Sequence, residues 1–256
     1  MTPAEAEAAL RAARADRRTL APFTDDEPAL DEQWGYDVQA VDRARREASG
    51  EVVVGAKLGL TSAAKQQRMG IAQPIVGFLT DAMRVGTGTL PLAAQAWAQP
   101  RIEPEIAFVT SQPLSSPLSP AEVVRVVEGV TVAAELLDSR YADYRFRLPD
   151  VVADNTSAAG FLVGTLSHVP DLDDLGRVHC ELEVDGVVVH TATGEAILGH
   201  PLRALVHLSE HLARHDQTLP AGSLVLAGAL TDAVPLVTGS HYTVRMGSLG
   251  TLSADA

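Results

Sequence analysis

The stretch RIEPEIAF, residues 101–108, has the character of a β-strand, yet two glutamates lie one residue apart inside its otherwise apolar run. In a strand, residues i and i+2 project from the same face roughly 6.5–7 Å apart, so Glu103 and Glu105 point the same way. The opposite face is apolar and consists of Ile102, Ile106 and Phe108. The segment therefore predicts a strand with one apolar and one acidic face.

Two carboxylates on one face repel each other, and partial burial adds a desolvation penalty. A basic side chain, or a hard divalent metal that prefers carboxylate oxygens, would offset both costs. Because Pro104 lies between the glutamates and cannot donate a ladder hydrogen bond, the strand is predicted to be at an edge or bulged. The pair alone leaves two interpretations open: a metal site, and a solvated acidic face.

Other segments also place charged residues beside apolar ones. Glu135 ends the apolar run VTVAA, and Lys57 lies within VVVGAKLGL, where a lysine is costly unless it is paired or functional. A lysine there can anchor an anionic substrate, but a surface lysine whose stem covers apolar residues fits the pattern as well. Downstream, Asp138 and Arg140 can pair with each other, and the polar cluster at 154–157 can be a capped turn.

The chain is predicted to divide into a helical N-terminal segment, residues 1–50, and a strand-rich domain, residues 51–256. At the N-terminus, Thr2 and Glu5 have the spacing of a capping box, with Pro3 at the first helical position. After residue 50, short β-like segments alternate with glycine. This arrangement predicts an α+β fold.

The clearest element of the second domain is the hairpin CELEVDGVVVH, residues 180–190, whose Asp185-Gly186 dipeptide suits a type I′ turn. Helices are predicted by their spacing and termini at about residues 30–49, 120–128 and 201–214.

Composition excludes several classes of function. The 256 residues, of which 46% are hydrophobic, suffice for one large domain, and the formal charge of −13 argues against nucleic-acid and membrane-surface binding. Cys180 is the single cysteine, which suits a reducing cytosol. The sequence shows neither the apolar core of a signal peptide nor an apolar run of membrane-spanning length. We therefore expect a cytoplasmic protein.

Four segments occur in the order found in the fumarylacetoacetate hydrolase superfamily: KLGLTSAAKQQRMGIAQPIVGFL, RIEPEIAFV, ELLDSRYADYRFRLPDVVADNTS and AILGHPLRALVHL. They most resemble the branch of that superfamily that contains the 2-oxopent-4-enoate hydratases and the 4-oxalocrotonate decarboxylases. The resemblance extends from about Tyr36 to the C-terminal GSLGTLS. It implies a mixed β-roll preceded by a short helical region.

The same resemblance implies a metal site and its neighbours. It assigns Glu103, Glu105 and Glu135 as ligands of a divalent metal, Mg²⁺ or Mn²⁺, which would stabilise the enolate of a bound 2-oxo acid. It assigns Lys57 as the active-site lysine and Ser157 as the serine of an Ala-Asp-Asn-Ala-Ser motif. Thr156 stands where that motif has its second alanine.

The choice of reaction depends on QPIVGFL, residues 73–79. Hydratases of this branch have Asp-Phe-Gly after Gln-Pro, whereas this chain has Ile75, as the decarboxylases do, although Val76 departs from both. We therefore expect metal-dependent decarboxylation of 2-oxo-3-hexenedioate (4-oxalocrotonate) to 2-hydroxypenta-2,4-dienoate in meta-cleavage catabolism of aromatic compounds. The residues expected in the substrate pocket are Leu60, Ile75, Asp138 and Arg140.

Alternatives remain. The first is a 2-oxopent-4-enoate hydratase; a remoter one is a catalytically silent subunit that stabilises a hydratase. The resemblance also implies a homo-oligomer, which can associate with a hydratase. Hydrolysis is disfavoured, because hydrolases of the superfamily activate water with a histidine ahead of the metal ligands, and all eight histidines here follow those glutamates.

Two features suggest other sites. The segment HLSEHLARH places His207, His211 and His215 four residues apart, a spacing that zinc can use, but the pattern is expected to be a solvent-exposed helix face. Cys180 is expected to be a small buried apolar residue.

Overall fold

The computed structural model describes residues 1–86, 88–89, 97–166 and 171–256. Its N-terminal region contains the helices α1 (Pro3–Asp16), α2 (Phe23–Asp26) and α3 (Glu32–Ala48). The Thr2 hydroxyl accepts a hydrogen bond from the Glu5 amide, and the Glu5 carboxylate accepts one from the Thr2 amide. The predicted capping box is confirmed.

The larger sheet carries the acidic strand near its centre. Its strands are β1 (Val53–Gly59), β2 (Ile75–Thr80), β4 (Arg101–Thr110), β5 (Val127–Leu137), β6 (Ala158–Val163), β9 (Leu224–Ala229) and β10 (Val234–Pro235). Their order is β2-β1-β9-β4-β5-β6, with β10 paired to β4. The neighbours are antiparallel except for β1 and β9, which are parallel.

The smaller sheet contains the predicted hairpin. Its strands are β3 (Gly88–Thr89), β7 (His179–Val184), β8 (Val187–Thr193), β11 (His241–Arg245) and β12 (Thr251–Asp255), in the order β3-β12-β11-β7-β8. Asp185 and Gly186 join β7 to β8 with positive φ values of 52° and 79°. Because a type I′ turn needs both angles positive, the predicted hairpin is confirmed.

The remaining helices are α4 (Ala63–Met69), α5 (Pro120–Val123), α6 (Leu148–Ala153) and α7 (Leu202–Arg214). The helix predicted over 120–128 is wrong beyond Val123, because a 3₁₀ turn follows and β5 already begins at Val127. The run VVRVV is rich in β-branched residues, which favour strands. No helix in the described part of the chain is long and apolar enough to cross a membrane.

The main hydrophobic core lies between the two sheets and α7. The apolar face of β4 contributes to it as predicted, and other members come from both sheets and the helix: Ile106, Phe108, Leu182, Leu208, Val244 and Leu252. The acidic face of β4 is therefore turned away from this core, toward β1 and the segments that follow β5.

Helix α3 fixes the strand and the helix that flank the acidic face. The Gln39 side-chain amide donates to the backbone oxygens of Val76 in β2 and Val152 in α6, both at 3.1 Å. The Tyr36 hydroxyl accepts a hydrogen bond from the Val76 amide at 3.2 Å. These bonds connect the N-terminal helices to the elements around the site.

Candidate metal centre and active site

The three glutamates singled out in the sequence meet in one cluster. Glu103 and Glu135 are directly opposite each other in the antiparallel pair β4–β5, and Glu105 follows two residues after Glu103. One carboxylate oxygen from each lies within 4.8 Å of the others, and all three side chains are buried. The interpretation of a solvated acidic face is therefore wrong.

The pairing of β4 becomes irregular just after Pro104. Pairing with β9 shifts register between Glu105 and Ala107, so the predicted irregularity is present, but β4 is a central strand and the edge alternative is wrong. At the shift, the Gly228 amide donates to Glu105 Oε2 at 2.7 Å. The irregular pairing thus lets a backbone amide hold one carboxylate instead of a ladder partner.

The charges of this cluster are not balanced by the protein alone. Burial, followed by the charges of Glu135 and Glu103, raises the pKa of Glu105 well above its usual range. Burial also raises the pKa of Glu135 to about 7. Glu105 Oε1 and Glu135 Oε1 accept no hydrogen bond from the described residues.

Unpartnered oxygens in an all-carboxylate donor set fit a hard divalent cation such as Mg²⁺ or Mn²⁺. Such an ion would neutralise the charges that burial otherwise penalises. The residues present therefore suit the predicted metal.

Lys57 on β1 extends into the same cluster. It is 2% exposed, and its Nζ lies 3.0 Å from Glu135 Oε2 and donates to the Thr156 carbonyl at 3.1 Å. Burial alone lowers the pKa of Lys57, but the charges of Glu135, Glu103 and Glu105 outweigh that effect and leave the pKa raised. The alternative of a surface lysine is wrong; Lys57 is a buried cation.

A strained turn holds Lys57 in place. Asn155, Thr156 and Ser157 are consecutive non-glycine residues with positive φ values of 46°, 54° and 62°, a conformation that needs support from its surroundings. The Asn155 side chain supplies it by accepting from the Phe78 amide at 2.9 Å and donating to the Phe78 carbonyl at 3.0 Å. The Ser157 hydroxyl is buried without a hydrogen-bond partner among the described residues.

A cavity of about 620 Å³ opens onto this cluster. Its walls include Lys57, Glu103 and Ser157, together with the apolar Leu60 and Ile75. Ile75 is 2% exposed. A Cβ atom placed on Gly59 would lie 3.1 Å from Ile75 Cγ1 and 3.9 Å from Lys57 Nζ, so these two side chains converge above that glycine.

Comparison with known proteins agrees with this geometry. The family model described as the C-terminal region of fumarylacetoacetate hydrolase matches residues 52–255. The chain belongs to the fumarylacetoacetate hydrolase family. The predicted α+β fold with a mixed β-roll is thereby confirmed.

The relatives that are similar to this chain include decarboxylases and hydratases, the two activities expected from the sequence. A 4-oxalocrotonate decarboxylase from a Pseudomonas species is 39% identical over 94% of this chain and 92% of the relative. A 2-hydroxyhexa-2,4-dienoate hydratase from Comamonas testosteroni is 35% identical over 96% and 92%. Decarboxylases and hydratases are both lyases, as predicted.

A solved structure of this family is similar over nearly the whole length. The 4-oxalocrotonate decarboxylase from Pseudomonas putida, complexed with magnesium and adipate, has a TM-score of 0.94 at 35% identity, covering 99% of this chain and 96% of the other. The prediction of Mg²⁺ is supported by this neighbour.

Two residues expected in the pocket are placed differently. The Asp138 carboxylate accepts from the amides of Ala98 (3.1 Å) and Gln99 (2.8 Å), which holds the segment leading into β4. Arg140 pairs with Asp154 and also donates to the Asp138 backbone oxygen at 2.5 Å. Neither side chain lines the cavity. Both side chains instead form hydrogen bonds with nearby backbone groups and so fix the position of the backbone. They do not pair with each other.

Sequence reasoning missed two cavity residues, Arg101 and Tyr144. The Arg101 guanidinium lies over the Tyr144 ring, 4.1 Å from its centroid, and both line the cavity. The two-residue repeat that placed Glu103 and Glu105 on one face of the strand also places Arg101 on that face. Arg101 could therefore have been predicted from the sequence. Tyr144 ends a 3₁₀ turn, Ala142–Tyr144, that local sequence patterns do not predict.

The histidine row on α7 differs from expectation. His211 is buried against Tyr36, with ring centroids 4.8 Å apart, and is not solvent-exposed. Within the described residues, the glutamate cluster is the single group of three potential metal ligands. Cys180 is buried, as predicted.

Proposed function

We propose that this protein is a metal-dependent lyase that converts 2-oxo-3-hexenedioate to 2-hydroxypenta-2,4-dienoate and CO₂ in the meta-cleavage catabolism of aromatic compounds. Ile75 is the observation that carries the choice of reaction. It lies beside Lys57 in the cavity wall, where the resembling hydratases have an acid. An isoleucine at this position cannot exchange a proton with the substrate as an acid would, and its apolar side chain does not position a water for hydration.

The reaction needs an electron acceptor at one end of the substrate and an escaping carboxylate at the other. The C5–C6 bond breaks, its electron pair forms the C4–C5 double bond, and the conjugated system shifts so that negative charge reaches the 2-oxo oxygen. One proton on that oxygen completes the product. A divalent cation held by Glu103, Glu105 and Glu135 would supply Lewis-acid stabilisation of that charge.

The chain's own residues account for binding and proton control. Lys57 is positively charged and fixed by Glu135 and Thr156, so it can stabilise negative charge on the substrate or deliver the proton. The buried hydroxyl of Ser157, which has no hydrogen-bond partner within the described part of the chain, can donate a hydrogen bond to the substrate. The apolar side chains of Leu60 and Ile75 exclude water from the end of the substrate that loses CO₂.

An assay of the purified protein with two substrates tests the proposal. We expect CO₂ release from 2-oxo-3-hexenedioate that depends on Mg²⁺, and little hydration of 2-hydroxypenta-2,4-dienoate. The hydratase is the second candidate, supported by relatives of that name at 35–36% identity. Efficient hydration without decarboxylation would establish it in place of the decarboxylase. Absence of both activities would favour the silent subunit.

We further propose that the protein is a cytoplasmic homo-oligomer that associates with a hydratase, which consumes the product. The edge strand β8 supports self-association, because Val187, Val188 and Val189 are all exposed on it. The free, buried Cys180 suits a reducing compartment. Light scattering of the protein alone and mixed with the hydratase of the same source measures both associations.

A further inference from the structure

The cavity contains a cation that the proposed mechanism does not use. Arg101 precedes Glu103 by two residues on the same face of β4, which puts the two side chains roughly 6.5–7 Å apart along the strand. Both line the cavity. Arg101 therefore lies one strand repeat from the carboxylate cluster, on the side of Tyr144.

Arg101 differs from the other basic residues of this cavity in having no carboxylate partner among the described residues. Lys57 pairs with Glu135 at 3.0 Å, and Lys65 lies 3.9 Å from Asp232. Arg145 forms two hydrogen bonds with Asp25, at 3.0 and 2.7 Å. Among the residues that the structure describes, the guanidinium of Arg101 is thus the cation of this cavity that lacks a carboxylate partner.

The position of Arg101 is set by Tyr144. The guanidinium lies over the ring at 4.1 Å, a cation–π contact that leaves the edge of the guanidinium available. The Tyr144 hydroxyl donates to the Gln99 backbone oxygen at 3.2 Å. Asp143 and Tyr144 both have positive φ values, 57° and 56°, a strained backbone conformation for residues other than glycine. This conformation places the Tyr144 ring against Arg101. A guanidinium aligned in this way, with no carboxylate partner in the ranges that the structure describes, suits bidentate binding of a carboxylate.

We propose that Arg101, held by Tyr144, binds the second carboxylate of a dicarboxylic 2-oxo acid and so selects di-acids over mono-acids. This assignment rests on the proposed function for the identity of the substrate. With the 2-oxo acid end at the glutamate cluster, four carbon–carbon bonds of ~1.5 Å each separate the 2-oxo carbon from the far carboxylate, an extended span of about 5 Å. That span is about 1.5–2 Å shorter than the strand repeat of roughly 6.5–7 Å between Glu103 and Arg101, a difference that the oxygens of the far carboxylate and the long Arg101 side chain can bridge.

The proposed contact has a distinctive kinetic consequence. The carboxylate that Arg101 binds is the one that leaves as neutral CO₂, so the interaction is present in the ground state and weakens in the transition state. Removing it raises KM without lowering kcat in proportion. A merely structural role would lower kcat or stability for every substrate.

Binding and turnover by Arg101→Gln test the proposal, with Arg101→Lys as the conservative variant and Arg145→Gln as a cavity arginine already paired with Asp25. Calorimetry with Mg²⁺ would compare 2-oxohexanedioate with 2-oxohexanoate, which differ only in the far carboxylate. Arg101→Gln is expected to weaken the affinity for the di-acid about 10- to 100-fold and to leave the affinity for the mono-acid unchanged. Arg101→Lys should recover part of the loss, and Arg145→Gln should change neither.

Equal di-acid affinity in wild type and Arg101→Gln would overturn the assignment, as would equal loss for both ligands. Because neither probe needs to react, the outcome is separate from the fate of the proposed function. The wild type could fail to decarboxylate 2-oxo-3-hexenedioate while Arg101→Gln still weakens binding of the di-acid. In that case the proposed reaction is wrong, and the assignment of Arg101 as the carboxylate subsite is retained. Thermal unfolding of each variant identifies any that do not fold.

Discussion

The Nζ atom of Lys57 lies 3.0 Å from Oε2 of Glu135, and both side chains are almost completely buried. The lysine thus offsets one of three clustered carboxylates. Because burial penalises the charges that remain, a divalent cation and this lysine together complete the electrostatics of the site. Their contributions can be separated by substitution.

Glu105→Gln is expected to abolish turnover and weaken Mg²⁺ binding, because a neutral amide is a poorer ligand for a hard cation. Without metal the same change removes like-charge repulsion at a fully buried position, so the melting temperature should not fall. Calorimetry and thermal unfolding with and without Mg²⁺ measure both effects, and Glu210→Gln, at a half-buried position of α7 away from the cluster, is the control. Full activity after exhaustive EDTA treatment would contradict a metal-dependent mechanism.

Lys57→Ala should lower kcat by roughly 10²–10⁴ if Lys57 stabilises charge or moves a proton. Metal affinity should remain near that of the wild type, because the three glutamates are intact. The only other lysine of the chain, Lys65, provides a matched control, and Lys65→Ala should reduce kcat far less. A normal kcat in Lys57→Ala would limit its role to balancing charge.

Ile75→Asp is expected to damage decarboxylation, because a carboxylate in this buried wall repels the substrate and draws water into the cavity. Any hydration gained should remain slight, since one acid without supporting contacts is poorly positioned. Ile75→Leu, which conserves volume, is the control. Efficient hydration by the unmutated protein would show that Ile75 does not distinguish the two reactions.

His211 should make the protein less stable in acid. Burial, followed by the charges of His215 and Arg214, lowers the pKa of His211 to about 3. Above pH ~6.5 neither the folded nor the unfolded state binds this proton, whereas between about pH 6.5 and 3 only the unfolded state binds it, so stability falls with pH in that window.

Urea unfolding at pH 7 and pH 5 measures this effect. In His211→Phe, the loss of unfolding free energy between these pH values should be smaller than in the wild type by at most about 2 kcal/mol. His207→Ala, a more exposed position on the same helix, should retain the wild-type loss. The same pH dependence in His211→Phe and wild type would contradict a buried neutral His211.

Local rules were sufficient for some features of the sequence. The spacing of two in a strand put Glu103 and Glu105 on one face, and the missing N–H of Pro104 predicted an irregularity, which lies just after it in the pairing with β9. The Asp185-Gly186 turn and the Thr2 capping box could also be predicted from the sequence, because each depends on residues a few positions apart. The resemblance to a known family then connected Glu135, Lys57 and Ser157 to the same site.

Tertiary structure decided which of several partners each charged residue meets. Pro104 did not place β4 at an edge, because β9, more than 110 residues downstream, pairs across the irregular register. Asp138 and Arg140 are separated by a single residue, but their side chains bind Ala98 and Gln99 (Asp138) and Asp154 (Arg140). The burial of Lys57 and of His211 likewise follows from strands and helices distant in the chain. Partners of this kind result from long-range packing, which the spacing of residues along one segment does not encode.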